Sequence, residues 1–145
     1  DESFDWKTVE LKSGAYQLKL VVDDGASNPG APQTATAVLE LLIIDNEAPG
    51  LWVETTQTQG EQLVLTGVAS DGYSAITEVA YKLNGRWYAA RPVDGMYDTR
   101  NERFEARMPI PKKKTTITVS AKDGAGNQKT VLITWPDGQT TEPVG

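Results

Sequence analysis

Apolar and polar residues alternate in short stretches along the whole chain. The clearest stretch is Thr115–Trp135, where every second residue is apolar on both sides of the glycine-rich segment Asp123–Asn127. Alternation with a period of two around such a turn is typical of a β-hairpin. The pattern therefore predicts two antiparallel strands here, with Ile117, Val119 and Ala121 facing the core.

The same alternation predicts a full set of strands between residues 50 and 135. Asn84-Gly85 is a two-residue hairpin turn of type I′, and Gly67 marks a bulge or a close approach of the backbone. Proline and glycine interrupt every window long enough for a helix, so the sequence indicates an all-β sandwich. Besides the hairpin strands, those predicted are Leu51–Thr56, Gln62–Ser70, Ile76–Leu83, Trp87–Arg91 and Arg103–Met108.

The opening hairpin has an earlier copy. Leu18–Asn28 (LKLVVDDGASN) matches Ile117–Asn127 (ITVSAKDGAGN) at an offset of 99 residues, and Phe4-Asp5-Trp6 matches Phe104-Glu105-Ala106 at an offset of 100. Ala37–Ile44 occupies the place of the second hairpin strand. Residues 1–47 are therefore expected to hold three strands, at Phe4–Leu11, Tyr16–Val22 and Thr34–Ile44. Asp45–Gly50 reads as a linker between two modules.

Composition removes several classes of function. The chain has no cysteine and no histidine, which excludes disulfides, thiolate metal sites, histidine-zinc sites and Ser-His-Asp triads. The net charge of −6 lies in residues 1–47, with nine acidic residues against three lysines, while residues 48–145 hold eleven of each sign. No basic face for nucleic acid is expected. The longest apolar run, Leu41–Ile44, is far too short to span a membrane.

These residues resemble a known group. Strand, Asp-x-x-Gly-Asn-like turn, strand and Asp-Asn-x-x-Pro linker together are similar to the tandem immunoglobulin-like or fibronectin-III-like modules of bacterial secreted and cell-surface proteins. Asn84–Trp87 with Pro92–Asp98 is similar to modules at the C-terminal end of large secreted β-propeller proteins. The resemblance implies an extracellular location, an accessory role in spacing, docking or adhesion, and no catalytic residues.

The resemblance and the pattern together predict an immunoglobulin-like β-sandwich: one complete seven-stranded module preceded by the last three strands of another. Residues 1–47 would be the incomplete module, 48–136 the complete one, and 137–145 a polar, flexible tail. Since the sequence begins inside a module, we expect a cut or processed piece of a larger secreted bacterial protein.

Acidic residues at strand ends and at the linker are candidate calcium ligands, because calcium takes several carboxylate, amide and carbonyl oxygens. The linker resembles that of cadherins, where calcium stiffens the joint, but their fuller set of acidic motifs is absent. A calcium-stiffened adhesion module is therefore a further alternative function. The alternative is that Asp and Asn cap turns by accepting hydrogen bonds from nearby backbone amides. The candidates are Asp24, Asp45, Asn46, Glu47, Asp71 and Asp123.

Exposed aromatic residues could stack on sugar rings, so a carbohydrate-binding module is an alternative function. Trp87, Tyr88 and Tyr97 are the candidates, near the fourth strand of the complete module. The alternative for Trp87 and Trp135 is burial in the core, as is common in sandwiches. Two carboxylate pairs, Asp94 with Asp98 and Glu102 with Glu105, are further candidates, but a single sandwich of this size offers little of the cleft that a glycosidase needs. We therefore expect no enzyme.

The incomplete module presents an apolar face with no partner sheet. Exposed apolar faces and open strand edges promote aggregation, so something must cover this one: an upstream half of the same module, a second chain or the second module. We favour the first and predict a structural or docking role completed from outside this chain. The interface residues are Leu18, Leu20, Val22, Leu39, Leu41 and Ile43, with Leu42 and Ile44 added for docking on a neighbour.

Overall fold

The computed structural model describes residues 3–143, and within that range all regular structure is β-strand. The chain divides into two compact units, Asp1–Asn46 and Glu47–Gly145. Among the described residues no helix is long and apolar enough to cross a membrane. The predicted all-β sandwich class is confirmed.

The first unit contains one antiparallel pair, β1 (Gly14–Asp23) and β2 (Thr34–Ile44). The connecting loop closes through Asp24, whose backbone nitrogen donates to the Gln33 carbonyl while its Oδ1 accepts from the Gln33 nitrogen. This pairing is local in sequence, because the two strands are consecutive along the chain.

A β-bulge interrupts the hairpin and changes which residues share a face. Tyr16 pairs with Leu42 but Leu18 pairs with Leu39, so Glu40 and Leu41 both lie opposite Gln17. The Gln17 amide donates to Glu40 Oε2 at 2.9 Å. Because cross-strand partners share a face, Leu42 continues the face of Leu18. The sequence pattern was wrong on this division, since the inserted residue resets the alternation.

The predicted strand Phe4–Leu11 is also wrong, because these residues form no strand. The Leu11 nitrogen donates to the Thr8 carbonyl in a turn. The Asn46 side-chain amide donates to the carbonyls of Thr8 and Leu11, each at 2.8 Å. A strand needs hydrogen-bonding partners for its backbone groups, and in the described part of the unit these residues are not paired with β1 or β2.

The second unit is a sandwich of two antiparallel sheets. One has the order β11-β10-β9-β5-β6 and the other β3-β4-β8-β7. The strands are β3 (Gly50–Gln59), β4 (Gln62–Ser70), β5 (Ile76–Leu83), β6 (Arg86–Ala89), β7 (Arg91–Pro92), β8 (Asn101–Pro109), β9 (Thr115–Asp123), β10 (Gln128–Trp135) and β11 (Gln139–Thr141).

Alternate residues of both sheets fill the core, as the period of two predicts. Alternate apolar residues of β4, β5, β8 and β9 are buried, except Leu83 of β5. Leu83, predicted to face inward, is only partly buried and packs with Trp135 against the same cluster. The fully buried members include Leu63, Leu65, Val79, Phe104, Ile117, Val119 and Ile133.

Three local features complete the comparison with the sequence. Asn84 and Gly85 have φ of 51° and 80°, which confirms the type I′ turn. The predicted strand Trp87–Arg91 is split at buried Ala90, where the chain passes from one sheet to the other. Gln139–Thr141 pairs with β10, so the segment predicted as a flexible tail carries a short strand.

Candidate interaction surface

The two copies of the hairpin differ most in burial. At the repeat offset of 99, Leu18, Leu20 and Val22 correspond to three fully buried residues, Ile117, Val119 and Ala121. In the first unit the same positions are 38–53% exposed. The sequence pattern is the same in both copies, but among residues 3–143 only the second copy has an opposing sheet.

The cross-strand register extends this equivalence to β2. Leu18 pairs with Leu39, as Ile117 pairs with Ile133. Leu39 is exposed whereas Ile133 is fully buried. Leu42, half-buried, and Ile44, buried, continue this face beyond the bulge, while exposed Leu41 and Ile43 follow the opposite one. We call Leu18, Leu20, Val22 and Leu39 the open face.

The N-terminal segment shows the same contrast. Phe4 is 79% exposed, whereas Phe104, its counterpart at offset 100, is fully buried. Phe104 lies on β8, which is paired with β4 on one side and with β7 on the other. Phe4 and Trp6 line a groove of about 630 Å³ together with Leu18, Lys19, Leu20 and Val21. Residues that build a core in the second unit therefore line an open groove in the first.

Among the candidate calcium ligands, Asp71 and Asp123 of the second unit each bring a carboxylate oxygen to within 4.8 Å of the other. Asp71 Oδ1 accepts from the nitrogens of Tyr73 and Ser74 at 2.8 and 2.9 Å. Asp123 Oδ1 accepts from the nitrogens of Ala125 and Asn127, each at 2.9 Å. These bonds are the turn-capping role, and calcium at this pair stays a prediction.

Two of the other four calcium candidates have hydrogen-bonding partners within the first unit. Asp24 closes the β1–β2 loop and Asn46 holds the Thr8–Leu11 turn, so both side chains have structural partners. Asp45 is buried at the end of the first unit, and Glu47 is exposed at the start of the second.

The sequence identified a second group of acidic residues only in part, because it paired Asp94 with Asp98 but placed Glu102 with Glu105. Asp94, Asp98 and Glu102 bring carboxylate oxygens within 4.8 Å of one another, whereas Glu105 pairs with Arg107 at 2.6 Å. Glu102 is buried, and its Oε1 accepts from Asp98 N, Thr99 N and Thr99 Oγ1 at 2.8–3.0 Å. The four-residue spacing between Asp98 and Glu102 is the sequence signal that could have indicated this contact.

The pKa of the Glu102 carboxyl reflects these opposing effects. Burial alone raises it, but the hydrogen bonds from Asp98 and Thr99 outweigh burial and hold the pKa below the ordinary value of 4.5. The carboxylate therefore fixes the 92–101 loop against the sandwich. Tyr97 lies in this loop, and burial followed by the nearby Glu102 raises the pKa of its hydroxyl.

The three aromatic glycan candidates do not form one platform. Tyr97 packs against the core and donates to the Ala90 carbonyl at 2.8 Å. Tyr88 stacks on Tyr81 with ring centroids 5.3 Å apart. Trp87, the neighbour of Tyr88, therefore points to the other side of β6. Only Trp87 stands on the outer face of its sheet.

Trp87 is 48% exposed, so it is not the core residue that the alternative interpretation required. It borders a groove of about 280 Å³ with Glu78, Ala80, Ser120, Lys122 and Gln128. The Lys82 ammonium lies 5.8 Å from the centre of its ring, a cation–π contact that orients the indole.

A comparison of the whole chain with models of known protein families finds no match, and a comparison with curated protein sequences finds none either.

Proposed function

We propose that this chain is a non-catalytic structural and docking part of a larger protein. In this proposal the first unit is a fragment of a sandwich module like the second unit, and polypeptide outside residues 1–145 completes it. The supporting observation is the contrast at matched positions: three residues fully buried in one copy are 38–53% exposed in the other.

The free energy of burying apolar side chains supports the proposal that another polypeptide segment packs on the open face. Burying a large aliphatic side chain fully contributes roughly 1.5–3 kcal/mol. Each of the four side chains of the open face is 38–53% exposed, so about half of that amount remains to be gained at each. Covering the whole face would contribute about 3–6 kcal/mol, which is comparable with the net stability of a small domain.

The resemblance to bacterial immunoglobulin-like and fibronectin-III-like modules supports the rest of the proposal. The parent protein would be secreted or displayed at the cell surface, and the completed modules would act as a spacer, docking or adhesion element. Cell fractionation with an antibody against residues 47–145 tests the location. Recovery only in the cytosol would contradict it.

A unique thiol tests whether the open face is covered, because the chain has no cysteine of its own. Leu20→Cys places the thiol on the open face, and Val119→Cys places it at the matched buried position. In the purified 145-residue chain we expect fast alkylation of Leu20→Cys and slow alkylation of Val119→Cys. In the intact protein from its own cells both should be slow. Equally fast alkylation of Leu20→Cys there would refute the proposal.

The groove at Trp87 supports a second candidate function, carbohydrate binding. A half-exposed indole beside polar side chains such as Gln128 and Glu78 is the arrangement in which a sugar ring stacks and its hydroxyls bind. Affinity electrophoresis in gels containing xylan, hydroxyethylcellulose or glycogen tests it. Trp87→Ala should abolish retardation, whereas Trp52→Ala, which removes an exposed tryptophan from the other sheet, should keep it. Retardation that survives Trp87→Ala would exclude this groove.

A further inference from the structure

The groove in the first unit follows a strand edge. Its lining includes the four consecutive residues Leu18–Val21 of β1. Consecutive strand residues point to opposite faces, so a groove that touches all four runs along the edge of the strand. The opposite edge of β1 is paired with β2. Among the described residues no strand is paired with this second edge of β1.

The second unit shows what occupies this edge in a complete module. β9, the counterpart of β1, is paired with β10 on one side and with β5 on the other. Tyr81 lies opposite Val119 and Val79 opposite Ala121. At offset 99 these positions are Leu20 and Val22.

We propose that an antiparallel β-strand docks on the free edge of β1, in the register that β5 adopts on β9. The inference rests on the proposed function and names the partner element. Its residues opposite Leu20 and Val22 are apolar and face the same side as the open face. The residue between them faces outward, at the position of Ala80.

Charges on the outer face make the expected strand more specific. In the second unit Glu78 lies opposite Lys122, and Lys82 opposite Thr118. The first unit has Asp23 and Lys19 at these two positions. Opposite charges stabilise cross-strand pairs, and like charges destabilise them. The docking strand therefore carries a basic residue opposite Asp23 and an acidic residue opposite Lys19, the reverse of β5.

A fusion tests this register with sequence that the protein already contains. Residues 47–116, which hold β3 to β8, are placed directly before residue 18 of the chain ending at 145, so that β1 and β2 follow as β9 and β10 do. Leu20→Cys reports on the edge. We expect its alkylation to slow by at least about tenfold relative to the unfused 145-residue chain, because the thiol then reacts only when the module opens.

Two variants of the donor segment test the strand itself. Exchanging its charges, with Glu78→Lys and Lys82→Glu in the donor copy only, should increase the protection further. Val79→Asp in the donor copy places a charge opposite Val22 and should abolish it. Protection that ignores both changes would overturn the proposed register.

The remaining outcomes separate this inference from the proposed function. If neither the fusion nor its charge-exchanged variant protects Leu20→Cys but the intact protein does, the open face is covered by a different element. Only the strand proposal then fails. If the intact protein leaves it reactive too, both fail. Protection in the unfused chain that rises with protein concentration would assign the edge to a second copy and overturn the docking strand.

Discussion

Phe4 and Phe104 occupy matched repeat positions, so the difference in their burial can be measured as a difference in the free energy of unfolding. Phe104 is fully buried in the core of the second unit, against both Gly67 and the facing sheet. Phe→Ala at such a site costs about 3–5 kcal/mol, which combines lost transfer free energy with the cavity left behind. Against a domain stability of roughly 5–15 kcal/mol, Phe104→Ala removes a large fraction of the stability of this unit.

Phe4→Ala is the matched control, since Phe4 occupies the corresponding repeat position but is 79% exposed. A surface substitution of this kind changes stability by no more than about 0.5 kcal/mol. Urea denaturation followed by tryptophan fluorescence measures both variants in the 145-residue chain. We expect a strongly lowered midpoint for Phe104→Ala and an unchanged one for Phe4→Ala.

Two results would refute this reasoning. A cost below about 1 kcal/mol for Phe104→Ala would place it outside a well-packed core. An equal cost for both variants would mean that Phe4 is already packed in the isolated chain, and the argument for an incomplete first unit would collapse. In the intact protein, by contrast, the proposed completion predicts that Phe4→Ala becomes costly as well.

Three further substitutions test single contacts of the second unit. Gly67→Ala should cost about 1–3 kcal/mol, because its Cβ would lie 2.1 Å from the Trp52 carbonyl oxygen, whereas Gly72→Ala, with open space around it, should be neutral in thermal melts. Glu102→Gln should cost about 1–3 kcal/mol at pH 7. Since folding lowers the pKa of Glu102 below 4.5, its contribution is present above that pH and is lost as pH falls through the folded-state pKa. Melts from pH 7 to pH 3 should therefore show the two proteins converging, and a constant difference would contradict the assignment. Asp123→Ala should lower the melting temperature with or without calcium, because the carboxylate caps its own turn; a wild-type melting temperature that rises with calcium and falls with chelator would instead support a bound ion at Asp71 and Asp123.

The sequence was most informative where structure depends on neighbours in the chain. The alternation located the buried residues of β4, β5, β8 and β9, and Asn84-Gly85 gave the correct turn type. The alternation failed to predict structure where a partner distant in the sequence determines whether a strand forms. The residues around Phe4 have strand-like alternation, but among the described residues no strand is paired with them. The bulge opposite Gln17 depends on pairing geometry rather than on composition.

The candidate site divides along the same line. Side chains that bond within their own turn, such as Asp71 and Asp123, were identifiable from local spacing. The separation of Trp87 from Tyr88 follows from strand alternation once the strand is known. Glu102 accepts a hydrogen bond from the Asp98 nitrogen, four residues away, whereas the predicted carboxylate pair was Glu102 with Glu105. The burial of Glu102 depends on the whole sandwich, so spacing alone did not identify this contact.

The exposed open face and the unpaired edge of β1 make the first copy of the repeated hairpin prone to association. A hairpin with its open face exposed and one free edge is prone to non-specific pairing, and β1 carries only Lys19 as a charge between Gly14 and Val22. One charge offers weak protection against self-association, which is consistent with the proposal that another strand occupies this edge. The same residues that would make the isolated hairpin aggregate are those that the second unit buries. The proposed docking role would account for both the repeat and the exposure, and the proposed spacer function would follow from it if the completed module is rigid.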